Sequence, residues 1–323
     1  MNILIFGKDG QLGKAFKEVL GSKNLEIQNH IQYVGRAQCD LSNESAITAL
    51  LQHTKPSLII NCAAYTAVDR AESEVDLAFA VNAKAPLTMA RYAQDQGATF
   101  LHYSTDYVFD GTKASPYEET DERNPLGIYG KSKAAGEEAI EDVFNYQHNT
   151  QAKFAILRTS WVYGDGGNFI RTILRLAKEC DTLKVIADQY GVPTSAAWLA
   201  NISSDLILDE NQQLNSFPSG VYHAVPQGET TWHDLACNVV QVAIDAGAEL
   251  KLQPAGIEAI GASDYPLPAP RPMNSRMATS ALQGALGKTE GNSGVMPKLD
   301  RLQQSWQQQV AAYVQDLVLH KLI

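Results

Sequence analysis

In the first half of the chain, short apolar runs alternate with longer stretches in which apolar residues recur at helical spacing. The short runs are typical of buried strands, and the longer stretches are typical of helices that bury one face. Strands separated by helices pair in parallel through right-handed crossovers. The pattern therefore predicts an α/β fold with a doubly wound parallel sheet, whose first five strands lie at 2–6, 31–34, 57–62, 99–104 and 153–158.

The second half has a looser pattern, with loops rich in Pro and Gly between helical stretches at 169–179, 196–208, 231–246 and 301–319. The loop 263–272 carries four prolines and should be extended, because each proline fixes its own backbone φ angle. We predict a first domain over residues 1–163 and a smaller C-terminal α/β lobe, mainly over residues 164–323. Whether later segments return to the first domain stays open.

A glycine-rich turn follows the first predicted strand and opens the first helix. Its glycines have the spacing Gly7-x-x-Gly10-x-x-Gly13, with Gln11 and Leu12 between the last two. Glycines here let the backbone approach a pyrophosphate and let the helix pack closely on the strand. The helix N-terminus presents free N–H groups and a positive dipole end to the phosphates. We therefore predict that residues 1–163 form a Rossmann domain that binds a dinucleotide through this turn; the end of the second strand, considered below, predicts that this dinucleotide is NADP(H).

A tyrosine and a lysine four residues apart, Tyr129 and Lys133, form a second candidate site. On a helix, side chains at this spacing share one face. The lysine's charge favours the phenolate and so lowers the pKa of the phenol from about 10 toward the working pH. Such a tyrosine can pass a proton to a carbonyl oxygen, and the ammonium can hold a nicotinamide ribose. Alone, the pair would fit a solvated helix face; combined with the glycine turn, it predicts catalysis.

Small and polar residues follow the third and fourth predicted strands. Ligands in doubly wound folds bind beyond the carboxyl ends of the strands, so these residues should line the site. Thr105 and Asp106 follow the fourth strand, where a hydroxyl could polarise the carbonyl that Tyr129 protonates. The small residues at 63–66 would let a cofactor lie against the backbone, and Asn82 is expected to flank it.

Charge and composition narrow the classes of partner. The 323 residues carry 26 basic and 36 acidic side chains, a net charge of -10 at pH 7. Nucleic acid is not expected as a partner, because its binding requires a clustered basic surface. No apolar run approaches the roughly 18 residues of a membrane span, and the first residues do not read as a signal peptide. The four cysteines are scattered, so we expect a cytoplasmic protein without a metal site.

The glycine turn, the strand-end segments and the Tyr-x-x-x-Lys pair together resemble the extended short-chain dehydrogenase/reductase family. Within it, the chain is similar to the reductases of nucleotide-linked 4-keto sugars, and this similarity runs nearly from end to end. It rests on the segments 5–8, 66–69, 102–109, 129–133, 158–163, 188–194 and 271–276.

The resemblance implies NAD(P)H-dependent reduction of the C4 ketone of dTDP-4-dehydro-L-rhamnose to dTDP-L-rhamnose. Tyr129 would protonate the developing alkoxide, Lys133 would tune Tyr129 and hold the ribose, and Thr105 would replace the serine common in the family. The other implied roles place Gly10, Gln11 and Leu12 at the pyrophosphate, Asp40 and Leu41 near the adenine, Ala63, Ala64, Tyr65 and Thr66 along the cofactor, and Thr105, Asp106 and Trp161 at the sugar nucleotide. Arg271 is a further candidate, because a guanidinium suits a diphosphate.

The end of the second predicted strand bears on the choice of cofactor. NAD-preferring domains place an acidic residue here, which bonds the ribose 2′-hydroxyl. This chain has Gly35 at that position, followed by Arg36, which can accommodate a 2′-phosphate. We therefore predict that NADPH is preferred and NADH tolerated, with a merely solvated Arg36 as the alternative.

Two alternative functions stay open on the sequence alone. A nucleotide-sugar 4,6-dehydratase or 4-epimerase would share the fold, but a dehydratase typically has an acidic pair after the threonine, where this chain has Asp106-Tyr107. A non-catalytic, reductase-like regulatory subunit would be free to lose Thr105, Tyr129 and Lys133, which are all present. The sequence is compatible with a homodimer and does not decide whether a divalent cation takes part.

Overall fold

A computed structural model describes residues 1–22, 30–146, 149, 151–209, 211–287 and 295–322. Over these residues the strands are β1 Ile3–Phe6, β2 Ile31–Val34, β3 Leu58–Asn61, β4 Thr99–Thr105, β5 Lys153–Thr159, β6 Val162–Tyr163, β7 Leu183–Ile186, β8 Tyr190–Gly191, β9 Thr194–Ser195, β10 Gly220–His223, β11 Thr230–Thr231 and β12 Ile257–Ile260.

The helices in the same ranges are α1 Gln11–Gly21, α2 Glu44–Thr54, α3 Val68–Ala71, α4 Val75–Phe79, α5 Ala85–Gln96, α6 Ile128–Tyr146, α7 Phe169–Glu179, α8 Ala196–Ile207, α9 Trp232–Asp245, α10 Ser280–Gly287, α11 Val295–Leu302 and α12 Trp306–Leu319. A π-helical turn, Ala80–Lys84, joins α4 to α5. None of these helices combines the length and the apolar character that crossing a membrane requires.

Six of the described strands form one parallel sheet in the order β2-β1-β3-β4-β5-β10. The chain passes from β1 to β2 on one side and then to β3 on the other, so the winding direction reverses between β1 and β3. In doubly wound sheets the ligand crevice opens at this point, beyond the carboxyl ends of the strands. Phe6 and Asn61 pair in register at those ends, so the segments that follow them meet.

The doubly wound parallel fold and the five predicted strands are confirmed. The sequence pattern misses the sixth strand, β10, because its four residues, Gly-Val-Tyr-His, are too few to show a strand period. The single helix predicted at 301–319 is wrong. One helix ends at Leu302 and another begins at Trp306, because Ser305 accepts a hydrogen bond from the Gln308 N–H and forms a capping box there.

Helices cover both faces of the sheet. On one face, α2, α5 and α6 enclose an apolar cluster that includes Leu4 and Ile59. On the other face, α1 and α8 bury Phe16 and Leu199 in one cluster with Ile5. Helix α8 and strand β10 therefore complete the sheet domain from the second half of the chain. The domain boundary at residue 163 stays a prediction.

The remaining C-terminal elements form a lobe with its own apolar core. Helices α7, α9 and α12 contribute Ile173, Val239 and Val310 to this core. Val108 and Phe109, directly after β4, belong to the same cluster. The lobe therefore lies over the carboxyl end of the central sheet, on the side where a ligand is expected.

Candidate active site

The glycine turn between β1 and α1 is packed too tightly for side chains. Gly7 has a φ of +84°, and an ideal Cβ there would lie 2.7 Å from the backbone nitrogen of Ala63. An ideal Cβ on Gly13 would lie 2.1 Å from the Gly7 carbonyl oxygen. The turn thus lies directly against the segment after β3, as only glycine allows. Helix α1 begins at Gln11 without a side-chain cap, which leaves its first N–H groups for a phosphate.

A cleft of about 680 Å³ opens beside this turn. Its opposite wall comes from residues 165–167 at the start of the C-terminal lobe. Most of the residues predicted to hold the cofactor line this cleft: Gly7, Gly10, Gln11, Leu12, Arg36, Asp40, Leu41, Ala63, Ala64, Tyr65, Thr66, Tyr129 and Lys133. The predicted site residues that do not line the cleft are Gly13 of the glycine turn and the residues predicted for catalysis or the sugar nucleotide, Thr105, Asp106, Trp161 and Arg271.

Two side chains of α1 reach across the mouth of the cleft. Lys14 Nζ forms an ion pair with Asp165 Oδ2 at 2.7 Å, and Gln11 Nε2 donates to the Gly167 carbonyl oxygen at 3.4 Å. The Lys14–Asp165 pair is largely exposed to solvent. Such pairs contribute at most about 1 kcal/mol, so these contacts do not oppose the entry of a ligand strongly.

Tyr129 lies in the first turn of α6, beside the carboxyl end of β4. The ring of Tyr107 packs edge-on against it, with 5.4 Å between ring centroids. Burial raises the pKa of Tyr129 to about 12, although the neighbouring Thr105 hydroxyl lowers it. The sequence predicts that Lys133 lowers this pKa. In the structure burial outweighs any such effect, and the phenol is protonated near pH 7.

Lys133 is buried one turn further along α6. Its Nζ donates to the Tyr103 carbonyl oxygen at 2.5 Å and lies 3.1 Å from Nε2 of His102. Burial lowers the pKa of Lys133 to about 8, and the carboxylate of Glu137 opposes this change. The lysine is therefore held toward β4, and its charge state changes close to physiological pH.

Thr105 and Asp106 stand together where β4 ends. Thr105 Oγ1 donates to Asp106 Oδ1 at 2.8 Å and accepts from the backbone N–H of Tyr107 at 3.2 Å. Burial raises the pKa of Asp106 to about 6, while hydrogen bonds from Ser275 and Thr105 oppose it. A hydroxyl and a carboxyl group thus face the phenol of Tyr129 from the side of the lobe.

Trp161 and Arg271 already have partners within the protein. The indole of Trp161 stacks on Trp232 with 3.6 Å between ring centroids. Arg271 donates to Asp69 Oδ1 at 2.9 Å and to the Ala269 carbonyl oxygen at 2.8 Å. The pairing with Asp69 offsets the guanidinium charge on which the diphosphate prediction rests.

Asn82 joins the cofactor side of the cleft to the catalytic helix. It is buried, accepts from the Tyr65 N–H at 2.8 Å, and donates to the Tyr65 carbonyl oxygen and to Ser132 Oγ, each at 3.0 Å. The sequence indicates only that Asn82 flanks the cofactor. The structure shows that it fixes the backbone of the 63–66 segment to α6.

A buried ion cluster, which the sequence analysis misses, lies one turn beyond Lys133. Glu137 accepts from Arg158 Nη2 and from Arg123 Nε, each at 2.6 Å. Burial raises the pKa of Glu137, but the two guanidinium groups outweigh this and hold it below its usual value. The partners come from β5 and from the loop before α6, so no local spacing could have indicated them.

The tyrosine opens onto the same cleft as the glycine turn, so a dinucleotide and a carbonyl compound can meet at its phenol. Together with the doubly wound sheet, this arrangement places the chain in the short-chain dehydrogenase/reductase class of oxidoreductases.

Comparison with known sequences narrows the class. The family model described as "RmlD substrate binding domain" matches residues 1–317. The dTDP-4-dehydrorhamnose reductase of Salmonella typhimurium is 44% identical over 286 residues, which cover 88% of this chain and 91% of that protein. The Escherichia coli reductase is 42% identical over 288 residues, with the same coverage. The chain belongs to this family of dTDP-4-dehydrorhamnose reductases.

Solved structures agree with this placement. A dTDP-4-dehydrorhamnose reductase from Clostridium acetobutylicum superposes with a TM-score of 0.82 at 32% identity, covering 98% of this chain and 99% of that chain. The Bacillus anthracis enzyme, in complex with NADP, gives a TM-score of 0.79 at 31% identity, covering 97% and 99%.

Proposed function

We propose that this chain reduces the C4 ketone of dTDP-4-dehydro-L-rhamnose to dTDP-L-rhamnose with a reduced nicotinamide cofactor. Family membership supports the reaction and its substrate. The observation that carries the proposal is that Tyr129 and Lys133 line the cleft that begins at the glycine turn. The hydroxyl of Thr105 lies beside the same phenol.

The residues present fit a dinucleotide. The absence of side chains at Gly7 and Gly13 lets the turn pack tightly against the segment after β3, and the N-terminus of α1 offers donors to a pyrophosphate. Arg36, Asp40 and Leu41 would receive the adenosine end, and the 63–66 segment would lie along the cofactor. When bound, the cofactor supplies the hydride that the ketone carbon accepts.

Tyr129 supplies the proton in this proposal. Its raised pKa keeps the phenol protonated near pH 7, which is the state that can donate to a ketone oxygen. The Thr105 hydroxyl can turn its proton from Asp106 to the same oxygen and so polarise the carbonyl. Lys133 stabilises the phenolate that remains after proton transfer. We propose that the sugar nucleotide lies on the side of Thr105 and Asp106, with Trp161 and Arg271 as further contacts.

A coupled assay tests the function directly. The purified chain is mixed with enzymatically made dTDP-4-dehydro-L-rhamnose, and NADPH oxidation is followed at 340 nm. We expect one NADPH oxidised per sugar reduced. Turnover of the sugar without net NADPH consumption would instead indicate an epimerase or a dehydratase, and absence of any turnover would support a non-catalytic subunit.

We further propose that NADPH is preferred and NADH tolerated. Arg36, directly beyond β2, is largely exposed and only loosely paired with Asp40, at 3.6 Å, so it is available for a 2′-phosphate. The carboxylate of Asp9 also lies close to Gly35. An ideal Cβ on Gly35 would be 2.2 Å from Asp9 Oδ2. That carboxylate can accept a hydrogen bond from the ribose 2′-hydroxyl of NADH.

Replacing Arg36 with alanine should lower kcat/KM for NADPH by about tenfold, because a charge-assisted hydrogen bond to the 2′-phosphate is lost. The value for NADH should hardly change. The matched control is Arg91→Ala, an exposed arginine outside the cleft. A wild-type kcat/KM for NADH that equals or exceeds that for NADPH would contradict the preference.

A further inference from the structure

Consecutive polar contacts link Ala63 to Asn61, Asn61 to His102 and His102 to Lys133. The first of these contacts shows which group donates in the next. The backbone N–H of Ala63 donates to Asn61 Oδ1 at 3.2 Å. Because a backbone N–H can only donate, Asn61 must present its oxygen to Ala63. Its amide nitrogen therefore faces His102, where Nδ2 lies 3.1 Å from Nδ1 of the ring.

The position of the proton on His102 follows from this contact. Nδ1 faces an N–H donor and has to accept, so the single ring proton of a neutral imidazole lies on Nε2. An imidazolium would set two donors against each other at Nδ1. Burial also keeps the pKa of His102 well below its usual value.

This proton points at Lys133. His102 Nε2 lies 3.1 Å from Lys133 Nζ, which also donates to the Tyr103 carbonyl oxygen. An ammonium has three N–H donors and no acceptor, whereas a neutral amine accepts through its lone pair. The contact is a hydrogen bond only if Lys133 is neutral.

The charges around Lys133 do not strongly favour its ammonium form. Glu137, one turn along α6, is the carboxylate whose charge raises the pKa of Lys133. That carboxylate is already paired with Arg158 from β5 and with Arg123 from the loop before α6. On the cleft side, Tyr129 is uncharged near pH 7.

We propose that His102 is a positioning residue: its Nε2–H, in the tautomer that Asn61 fixes, can donate only to the neutral amine of Lys133 and so makes the ammonium form less favourable in the cofactor-free protein. Negative charge that enters the site, from the cofactor or from the phenolate, favours the ammonium form again. The role of Lys133 rests on the proposed function, but the tautomer of His102 does not depend on it.

Nitrogen-15 NMR of histidine-labelled, cofactor-free protein tests the tautomer without any assay of activity. We expect His102 to show a protonated Nε2 and an Nδ1 that carries a lone pair. The His102 signals are assigned by their loss in His102→Gln or, if that variant does not fold, by replacing the other histidines one at a time. A proton on Nδ1, or an imidazolium, would overturn the proposal.

Asn61→Asp should reverse the donor and acceptor roles in the hydrogen bonds between residues 61, 102 and 133. A carboxylate accepts from the Ala63 N–H and from His102, so the ring proton should move to Nδ1 and leave Nε2 to accept from a Lys133 ammonium. The same NMR measurement reads this change. Retention of the Nε2–H tautomer in Asn61→Asp would show that Asn61 does not set it, against the proposal.

The pH profile of kcat/KM reports the effect on Lys133, because it follows the ionisations of the free enzyme. Lys133 is needed as an ammonium beside the phenolate, so the wild-type profile should fall as pH rises through about 8. A glutamine at position 102 can turn its oxygen to the ammonium, which raises the lysine pKa. In His102→Gln, the decline of kcat/KM on the alkaline side should therefore occur about one pH unit higher than in the wild type.

His223→Gln is the matched control, because His223 is also buried and neutral but bonds the Ala278 carbonyl oxygen rather than Lys133. In this variant, kcat/KM should decline at the same alkaline pH as in the wild type. An unshifted profile in His102→Gln would overturn the proposal. If the chain lacks the proposed reductase activity, the profiles disappear while the NMR result still stands, so the two failures can be told apart.

Discussion

Tyr129→Phe should lower kcat for ketone reduction by about 10²- to 10⁴-fold, the usual contribution of a general acid. The variant keeps the ring that packs against Tyr107 and removes only the proton donor. Since the glycine turn and the adenosine end of the cleft are untouched, the Kd for NADPH should stay nearly the same. Steady-state kinetics with the 4-keto sugar and a fluorescence titration with NADPH measure the two quantities separately.

Tyr107→Phe is the control for this prediction, because it removes a neighbouring phenol from the same aromatic pair. It should retain most of the wild-type kcat. Unchanged turnover in Tyr129→Phe would remove Tyr129 from the mechanism. A parallel loss of NADPH binding would instead indicate that the substitution disturbs the cleft.

Arg158→Met should lower the free energy of unfolding by about 3–5 kcal/mol, because removing one partner of a buried ion pair leaves the other charge poorly compensated. Arg158 and Glu137 are each at most 1% exposed, so water cannot replace the lost guanidinium. Arg123 still contacts Glu137, which places the expected loss toward the lower end of that range. Urea unfolding followed by circular dichroism provides the measurement.

An exposed pair on α7 offers a matched control. Arg175 and Glu179 form an ion pair one helical turn apart with more than half of each side chain exposed. Arg175→Met should cost less than about 1 kcal/mol. If Arg158→Met proved no more costly than Arg175→Met, the buried cluster would not be important for stability. The double variant Arg158→Met, Glu137→Leu should regain part of the loss, because no unpaired carboxylate stays buried.

The parts of the site that depend on local spacing could be predicted from the sequence. The glycine turn needs three small residues at fixed offsets, and Tyr129 and Lys133 need only one helical turn between them. Strand alternation with helices then places both at one end of a parallel sheet. For these features, each residue's role follows from its neighbours in the chain.

What the sequence analysis misses depends on contacts between distant segments. Asn61 and His102 belong to strands that read as apolar, and their role appears only because β3 and β4 pair with these two residues opposite each other. The pKa of Tyr129 shows the same limit. Helical spacing indicates the nearby charge of Lys133, whereas the burial that raises this pKa comes from the folded surroundings.

The place of β10 in the sheet affects how the chain is made. The strand pairs with β5, yet Gly220–His223 is synthesised well after Lys153–Thr159. Until then, β5 presents an unpaired edge with buried-type side chains such as Leu157, and open edges of this kind recruit strands from other chains. A nascent chain or a recombinant fragment that stops at Tyr163 would therefore tend to aggregate rather than act as an autonomous nucleotide-binding module.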